Sequence, residues 1–219
     1  MMRLFVKYVL FTSLLAFSVA GVAQDWKLVK TGKGVQVYNK EVPGSRYKEF
    51  RGVTVIEAEL RDIAYLFFTD YAYKDWLANI VESKRVSEMG VDGQYIYLVQ
   101  KLPLVKWRDV VVHGKLSQDP ASKVLTVSVT HAPGFVEPND KYVRVKRLVS
   151  EFTFTPLDGK KVEVVYEMDV DPGGKIPTLL ANAFTTKTPY KTLRNLKQIS
   201  GSLEQYRSKE IANPYENVE

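Results

Sequence analysis

Few residues in this chain of 219 could carry acid–base or metal chemistry. His113 and His131 are the only histidines, and they fall on different predicted strands at a spacing that matches no common metal-ligand pattern. The chain has no cysteine, which excludes thiolate metal sites, thiol catalysis and disulfide bonds. It also lacks the short motifs of nucleotide-binding loops, zinc proteases and serine hydrolases. We therefore expect no metal ion and no cofactor.

The most informative charge pair is Arg108 with Asp109, which stands at the start of the apolar run 110–112. Successive side chains of a strand point to opposite faces of the sheet. One member of the pair is thus expected to face the interior, while the other braces the strand. Carboxylates are numerous elsewhere, but no two of them share an apolar setting that would tune one for acid–base catalysis.

The elements that position these residues follow from the spacing of apolar residues and turn residues. Period-two alternation between turn signals predicts an antiparallel sheet. A helical period after the second strand predicts one helix, with Leu60, Ile63 and Phe67 on one face. Gly52 is expected to mark a bulge or bend. The strands are predicted at residues 35–38, 47–56, 80–88, 93–101, 108–118, 123–131, 142–155 and 161–171.

The last strand leads through a Pro-Gly-Gly turn at 171–174 into a long helical stretch. The apolar residues before and after Pro189 point to nearly opposite sides of a straight helix, and a proline inside a helix removes a hydrogen bond. The sequence therefore predicts two helical segments, 177–186 and 189–207, with a hinge between them. Residues 24–207 are expected to form one domain, followed by a loose tail at 208–219.

The first 23 residues have the pattern of a secretory signal peptide. Arg3 and Lys7 precede an apolar run too short to span a bilayer, which ends in small residues typical of a cleavage site. We therefore expect residues 1–23 to be removed and the protein to be exported, to the periplasm of a Gram-negative bacterium.

The charge of the chain gives weaker information about partners. A formal net charge of +6 is poor evidence for nucleic acid, which an exported protein rarely meets, so we expect no nucleic-acid partner. We also expect the protein to be a monomer. Lys191, Arg194 and Lys197 form a basic stripe on the last helix. It is interpreted as a solvated face, with transient contact to an anionic membrane surface as the alternative.

Several short motifs, in this order, are similar to those of one known family. They are Tyr73-Lys74-Asp75-Trp76, the segment 102–111 with Pro103 and Arg108-Asp109, His131-Ala132-Pro133 followed by Tyr142-Val143-Arg144, and Asp171-Pro172-Gly173-Gly174-Lys175-Ile176-Pro177 followed by Leu180 and Asn182. Together they resemble START domains, which are lipid-transfer modules. The resemblance covers nearly all of residues 24–207.

The resemblance implies an α+β protein with the helix-grip fold, in which a curved antiparallel sheet wraps around a long C-terminal helix. It also implies a tunnel between them for one hydrophobic ligand, a lipid or another apolar small molecule, and a protein that is not an enzyme. Sterol-binding members place a charge in the cavity on the strand that starts at Arg108. Here that position is Gly114 or His113, which argues against sterol specificity.

The alternating residues of the predicted strands, together with the last helix, supply a lining for such a tunnel. Arg108 and Arg144 are expected to act as polar anchors, and the tyrosine hydroxyls can meet a ligand head group. Phe135 and Val136, on the loop 132–141, suggest an entrance gate or a tip that touches the membrane, with simple packing against the helix as the alternative. The predicted ligand-binding residues are Tyr95, Tyr97, Arg108, Val110, Val112, Val127, Val129, Arg144, Tyr166, Met168, Leu180, Phe184 and Leu196.

Three functions remain open from the sequence. The first is an exported protein that binds or transfers a lipid in its internal tunnel. The second is a helix-grip enzyme, such as a cyclase or hydrolase, that acts on an apolar substrate and uses His113 inside the cavity. The third is an envelope interaction module with a solid core. The position of His113 and the presence of a cavity discriminate among them.

Overall fold

The computed structural model describes residues 25–87 and 93–207. The predicted signal peptide, the predicted C-terminal tail and the turn around residue 90 lie outside these ranges. The helices are α1 (Leu60–Phe68), α2 (Tyr73–Trp76) and α3 (Thr178–Ile199), with short 3-10 helices at Asp70–Ala72 and Ser200–Tyr206. The strands are β1 (Lys27–Gly32), β2 (Val35–Lys40), β3 (Glu49–Glu57), β4 (Ile80–Arg85), β5 (Gln94–Gln100), β6 (Arg108–Gln118), β7 (Leu125–His131), β8 (Val143–Arg144), β9 (Arg147–Pro156) and β10 (Lys161–Asp171).

These strands form one curved sheet in the order β1-β2-β3-β10-β9-β7-β6-β5-β4, and every neighbouring pair is antiparallel. The short β8 lies beside β6 in parallel. Two strands differ from prediction: β1 is additional, and the strand expected at 142–155 is divided into β8 and β9. The outermost strands, β1 and β4, each contain a register shift, after Leu28 and after Ile80.

The concave face of the sheet carries most of the core. On β10, Val162, Val164 and Tyr166 are buried, while Lys161 is exposed. Tyr166 lies opposite Phe152 of β9, and the two rings stack with their centroids 4.0 Å apart. The period-two pattern of this strand therefore predicts its buried face correctly.

At Gly52 of β3, helix α3 packs closely against the sheet. The prediction of a bulge there is wrong, because the ladder passes through Gly52 without a shift, opposite Val37 on one side and Tyr166 on the other. A Cβ atom at this position would lie 2.6 Å from Cδ1 of Leu193. The glycine removes a side chain so that α3 can lie against the strand.

Helix α3 is continuous, and the prediction of two segments hinged near Pro189 is wrong. Its buried residues recur every three or four positions and form one stripe through Pro189, which packs 3.6 Å from the Cβ position of Gly52. The buried residues are Ala181, Thr185, Pro189, Thr192, Leu193 and Leu196.

The break is predicted wrongly because the first half of α3 buries small and polar residues rather than its leucines. Leu179, expected on the buried face, is 86% exposed, whereas Ala181 and Thr185 are buried. Once Ala181 and Thr185 define the face, the phase agrees with Leu193 and Leu196, and no break is needed. A break is predicted only when the buried face is defined by the apolar residues alone.

Helices α1 and α2 cover the other half of the concave face and are tied to α3. Trp76 packs edge-on against Phe67 and Phe152, at centroid distances of 5.0 and 5.5 Å. The backbone N–H of Ala78 donates a 3.0 Å hydrogen bond to Oγ1 of Thr192. Of the helices within the described ranges, none is long and apolar enough to cross a membrane.

Candidate ligand cavity

Two adjoining cavities lie between the sheet and its helical cover. Cavity 1, of about 140 Å³, lies between the first half of α3 and strands β3, β5, β6, β9 and β10, whereas cavity 2, of about 70 Å³, lies beneath α1 and α2. Five residues line both cavities: Leu77, Leu98, Leu148, Tyr166 and Met168. The cavities are therefore neighbouring parts of one elongated apolar space, separated by side chains rather than by backbone.

A buried cation forms part of the wall of cavity 1. Arg108 is 2% exposed, and its guanidinium donates hydrogen bonds to the carbonyl oxygens of Pro172 (3.4 Å), Gly173 (3.2 Å) and Lys106. Within the described residues no carboxylate forms a salt bridge with it. Burial lowers the pKa of Arg108, but an arginine remains protonated in proteins. Cavity 1 thus has a positive charge in its wall that no described acidic residue neutralises.

The turn that precedes α3 shapes this cation site. Gly173 has φ +65°, and a Cβ there would lie 2.5 Å from the carbonyl oxygen of Arg144. The side chain of Asp171 accepts a 2.9 Å hydrogen bond from the Gly173 N–H. The turn therefore presents its carbonyl oxygens to Arg108 in a conformation that favours glycine.

Asp109, the other half of the charge pair, points to the outer face of the sheet. Arg144 holds it with two hydrogen bonds, Nε to Oδ1 at 3.1 Å and Nη2 to Oδ2 at 2.9 Å. The hydroxyl of Tyr97 donates to the same carboxylate at 3.2 Å. Burial, together with the Asp109 charge, raises the pKa of Tyr97 to about 12. The expected division of the pair into an inward residue and a bracing residue agrees with this geometry.

Eight of the thirteen predicted ligand-binding residues line the cavities. Arg108, Val110 and Phe184 line cavity 1; Val112, Val127 and Val129 line cavity 2; Tyr166 and Met168 line both. Ligand contact at these positions stays a prediction. Tyr95, Tyr97, Arg144, Leu180 and Leu196 line neither cavity.

The register of β5 against β6 explains why Tyr95 and Tyr97 are not where the pattern predicts them. Tyr97 pairs with Val111, not with Val110, so it lies on the face opposite to the cavity. The outer face of β5 is also apolar because the loop 132–141 covers it, and the Phe135 ring stacks on Tyr95 at 4.0 Å. With both faces apolar, alternation alone cannot decide which face is internal.

The remaining residues outside the cavities have separate reasons. Arg144 faces outward because it pairs with Asp109. Leu196 is fully buried in the solid part of the core, while Leu180 packs in a small cluster beside cavity 1. The loop 132–141 packs on the outer face of the sheet, through Phe135 and Val136. Its interpretation as an entrance gate is therefore wrong, and so is the alternative that it packs against the helix.

His113 also lies on the outer face, which removes it as a catalytic residue of the cavity. Its ring stacks on Tyr95 at a centroid distance of 4.6 Å, and its neighbour Val112 faces cavity 2. The titratable residues that line the two cavities, among those the structure describes, are Tyr47, Tyr73, Arg108, Lys115 and Tyr166. The described walls contain neither a histidine nor a carboxylate.

On β5, two polar residues of the wall escape prediction from the sequence. Gln94 and Gln100 lie at the ends of β5 and face the cavities together with Ile96 and Leu98. They escape it because a glutamine beside an alternating apolar pattern is usually exposed. Their even spacing with Ile96 and Leu98 is the signal that could have found them.

A small apolar cluster borders cavity 1 and is flanked along the chain by exposed residues. Tyr47, Leu102, Ile176 and Ala181 are its buried members, and three of them, with Phe184, line the cavity. Outside it, Leu104 is 92% and Leu179 is 86% exposed. The exposed cations Arg46, Lys101 and Lys175 directly precede Tyr47, Leu102 and Ile176 in the chain. This cluster is called the mouth below.

A curved antiparallel sheet that grips a C-terminal helix above an apolar cavity defines a class of ligand-binding domains. The family model of the START domain matches residues 15–205. The chain therefore belongs to the START family, as its motifs predicted. Membership implies that it binds a hydrophobic ligand.

Individual relatives agree with this assignment. The chain is 35% identical over 184 residues to the uncharacterized protein PA1579 of Pseudomonas aeruginosa, a match that covers 83% of this chain and 90% of the relative. It is 31% identical to the STAR-related lipid transfer protein of Xanthomonas axonopodis, with a TM-score of 0.73 over 79% of this chain and 97% of that one. Human StAR-related lipid transfer protein 5 has the same TM-score at 16% identity, covering 83% of this chain and 88% of that chain, and thus shares the fold. The helix-grip prediction is confirmed.

Proposed function

We propose that this protein is an exported lipid-binding protein that holds one elongated lipid in cavities 1 and 2 and exchanges it with membranes. The observation that carries the proposal is the pair of adjoining apolar cavities beneath α3. The Xanthomonas axonopodis relative is named a lipid transfer protein, which supports the choice of ligand class. The described cavity walls contain no acid–base pair, which favours binding over catalysis.

Ligand retention follows from apolar burial with one charged anchor. Burying apolar surface contributes about 25 cal/mol per Å². Arg108 adds a positive charge at the wall of cavity 1, and an anionic or strongly polar head group would offset the cost of burying that charge. We therefore place the head group in cavity 1 and the apolar tail toward cavity 2.

Ligand entry requires the walls to separate. Each cavity is smaller than the roughly 300–1,000 Å³ of typical ligand pockets. The second half of α3 is anchored in the main core by Leu193 and Leu196, whereas the first half packs on the small mouth cluster and forms hydrogen bonds with Asn39 through Thr185 and Thr186. Pro189 has no N–H, so the Thr185 carbonyl lacks its helical partner. In this structure the two halves form one continuous helix. We propose that the helix bends at this missing hydrogen bond only while the ligand enters or leaves, so that its first half moves outward.

The mouth supplies a surface for membrane contact. Two leucines that are almost fully exposed, Leu104 and Leu179, stand beside Arg46, Lys101 and Lys175. Apolar tips flanked by cations favour an anionic lipid surface, to which each cation adds about 1 kcal/mol. The basic stripe of α3 suits this role less well, since Lys191 donates to Asn79 and Lys197 to the Val55 carbonyl.

The location of the protein is proposed from its first 23 residues. Their signal-peptide pattern supports export, and the periplasm of a Gram-negative bacterium is a compartment in which lipids must cross between two membranes. We propose that the mature protein is a monomer that carries lipid within this compartment.

Ligand extraction tests the proposal directly. Protein purified from a Gram-negative host would be washed, extracted with organic solvent and analysed by mass spectrometry. An unrelated cytoplasmic protein, purified from the same host, would be treated in parallel as the control. We expect one lipid class to be enriched in about equimolar amount. The protein should also move a fluorescent lipid between vesicles. A protein that carries no lipid and takes up none from vesicles would refute the proposal.

A further inference from the structure

Arg108 keeps unused hydrogen-bond donors at the wall of cavity 1. An arginine side chain carries five N–H groups. Here Nε donates to the carbonyl oxygen of Pro172, Nη1 to that of Lys106 and Nη2 to that of Gly173. One N–H on Nη1 and one on Nη2 therefore have no acceptor among the described residues. The three acceptors are neutral, so they satisfy donors without neutralising the buried charge.

Tyr47 adds a third unused donor to the same wall. It is 5% exposed and lines cavity 1 together with Arg108. Its hydroxyl oxygen accepts a 2.5 Å hydrogen bond from Nη2 of Arg46, and no described residue accepts the hydroxyl proton. The two side chains lie close enough to interact, since burial lowers the pKa of Arg108 and Tyr47 acts on that pKa in the opposite direction. Two N–H groups and one O–H group are thus available in one apolar space.

The charge of this wall matches a head group with one negative charge. Arg108 is the only charged residue in the described lining of cavity 1, whose other polar side chains are neutral. A carboxylate carries a single charge, and its two oxygens can accept the two N–H groups of an arginine at once. A phosphate monoester carries a charge of about −1.5 to −2, part of which would stay unbalanced here.

The shape of the space favours one hydrocarbon chain. Cavity 1 lies beneath the first half of α3 and cavity 2 beneath α1 and α2, and the two share five residues of their walls. One chain can therefore pass from the first cavity into the second. Two chains side by side would need a wider space, and each cavity is smaller than the roughly 300–1,000 Å³ of typical ligand pockets.

We propose that the ligand is a single-chain lipid with a free carboxylate, as in a fatty acid, and that Arg108 and Tyr47 bind this carboxylate. The inference rests on the proposed function, since it names the chemical class of the same lipid. The carboxylate accepts the two unused N–H groups of Arg108 and the O–H group of Tyr47, while the chain extends into cavity 2. An alcohol or an ester would leave the buried charge without a counter-ion.

Displacement of a neutral dye compares different head groups on the same chain. Nile red would be bound to the mature protein and displaced by laurate, 1-dodecanol or methyl laurate at about pH 8, well above the pKa of a carboxylic acid. Because hydrogen bonds to a charged group are the stronger ones, we expect laurate to bind at least about tenfold more tightly than either neutral compound.

The number of chains is tested by a second measurement. The protein would be incubated with phosphatidylcholine vesicles that contain equal amounts of oleate and dioleoyl phosphatidate, and then separated from them by size exclusion. Both added lipids are anionic, but oleate has one chain and a carboxylate, whereas the phosphatidate has two chains and a phosphate. Mass spectrometry of the extracted protein should find oleate and little phosphatidate.

Variants identify the residues responsible. Tyr47→Phe removes one hydroxyl group and should reduce the ratio of laurate to dodecanol affinity severalfold. Arg108→Gln should abolish the preference, and if this variant does not fold, because Arg108 also holds the turn at Pro172 and Gly173, Tyr47→Phe still decides. Tyr190→Phe is the matched control, since Tyr190 lines neither cavity, and it should leave the ratio unchanged.

The outcomes separate this inference from the proposed function. If laurate binds no more tightly than 1-dodecanol, or if phosphatidate is recovered in place of oleate, the inference is overturned while lipid binding stands. A preference for laurate that survives both Tyr47→Phe and Arg108→Gln overturns it as well. If no compound displaces Nile red and no lipid is recovered from the vesicles, the proposed function itself fails.

Discussion

The close approach of α3 to β3 predicts a large effect for the smallest possible side chain at Gly52. A Cβ at this position would lie 2.6 Å from Cδ1 of Leu193, about 0.8 Å inside ordinary contact, which begins at 3.4 Å. Leu193 is 0% exposed and cannot move into solvent. Overpacking of this kind costs about 1–3 kcal/mol, while replacing a strand glycine by alanine returns about 0.5–1 kcal/mol.

Gly52→Ala should therefore lower the free energy of unfolding by about 1–2 kcal/mol, which corresponds to a fall in Tm of about 3–6 °C for a domain of this size. Thermal unfolding followed by circular dichroism measures the effect. Gly201→Ala is the matched control, because Gly201 is exposed and a Cβ there meets nothing within 4 Å. The control should be as stable as the wild type or slightly more stable.

A double substitution sharpens the test. Leu193→Ala alone should cost about 2–5 kcal/mol, since it opens a cavity in the core. In Gly52→Ala/Leu193→Ala the clash is absent, so the combined loss should be smaller than the two separate losses added together. If Gly52→Ala is as stable as Gly201→Ala, or if the double variant shows plain additivity, the packing argument is refuted.

Four further predictions follow from the site. Arg144→Met should cost about 3–5 kcal/mol, because it leaves the buried Asp109 carboxylate unpaired, and adding Asp109→Asn should recover part of that loss in urea unfolding. The folded-state pKa of Tyr97 is raised from 10.0 to about 12, so its stabilising contribution is complete below pH 10 and is lost as the pH rises through 12. The free energies of unfolding of wild type and Tyr97→Phe should therefore converge as the pH approaches 12. Gly114→Phe should fill cavity 2 and weaken long-chain ligand binding by about tenfold or more, measured by displacement of a fluorescent lipid, because a Cβ at this position meets nothing within 4 Å. Pro189→Ala should slow ligand exchange in stopped-flow fluorescence, since it gives the Thr185 carbonyl a helical donor.

Each of these has its own contrary result. An Arg144→Met protein as stable as wild type would show that the Asp109 pair contributes nothing. Parallel alkaline unfolding curves for wild type and Tyr97→Phe would contradict the raised pKa. If Gly114→Phe binds the ligand as tightly as the control Gly201→Phe, the ligand does not occupy cavity 2. If Pro189→Ala exchanges ligand faster than the wild type, α3 does not bend at Pro189 during exchange.

Sequence patterns predict the strands best where one face is apolar and the other is charged. The bounds of β6 and β10 agree with the prediction residue for residue, since both strands lie between clear turns. β10 also alternates in burial, whereas the first five residues of β6 are all buried. The lysine-rich β1, KLVKTG, escapes prediction because an edge strand with little burial has a weak apolar pattern. The motifs identify the family where local patterns cannot.

The site is predicted less completely, for two physical reasons. Tyr97 is expected in the cavity because β5 is apolar on both faces, and only the pairing with Val111 shows which face is internal. Thr185 and Thr192 are not expected to face the cavity, because a polar residue on a helix is usually exposed, yet both line cavity 1. Register and helix phase are long-range properties that a periodic pattern leaves undetermined.

The two outermost strands of the open sheet bear on aggregation. A free strand edge is a template on which another chain can pair, and bulges and lysines are the usual protection against it. Both β1 and β4 contain a register shift, and they carry Lys27, Lys30 and Lys84. The sheet can thus stay open around its helix, as a ligand cavity requires, without offering flat edges for fibre growth.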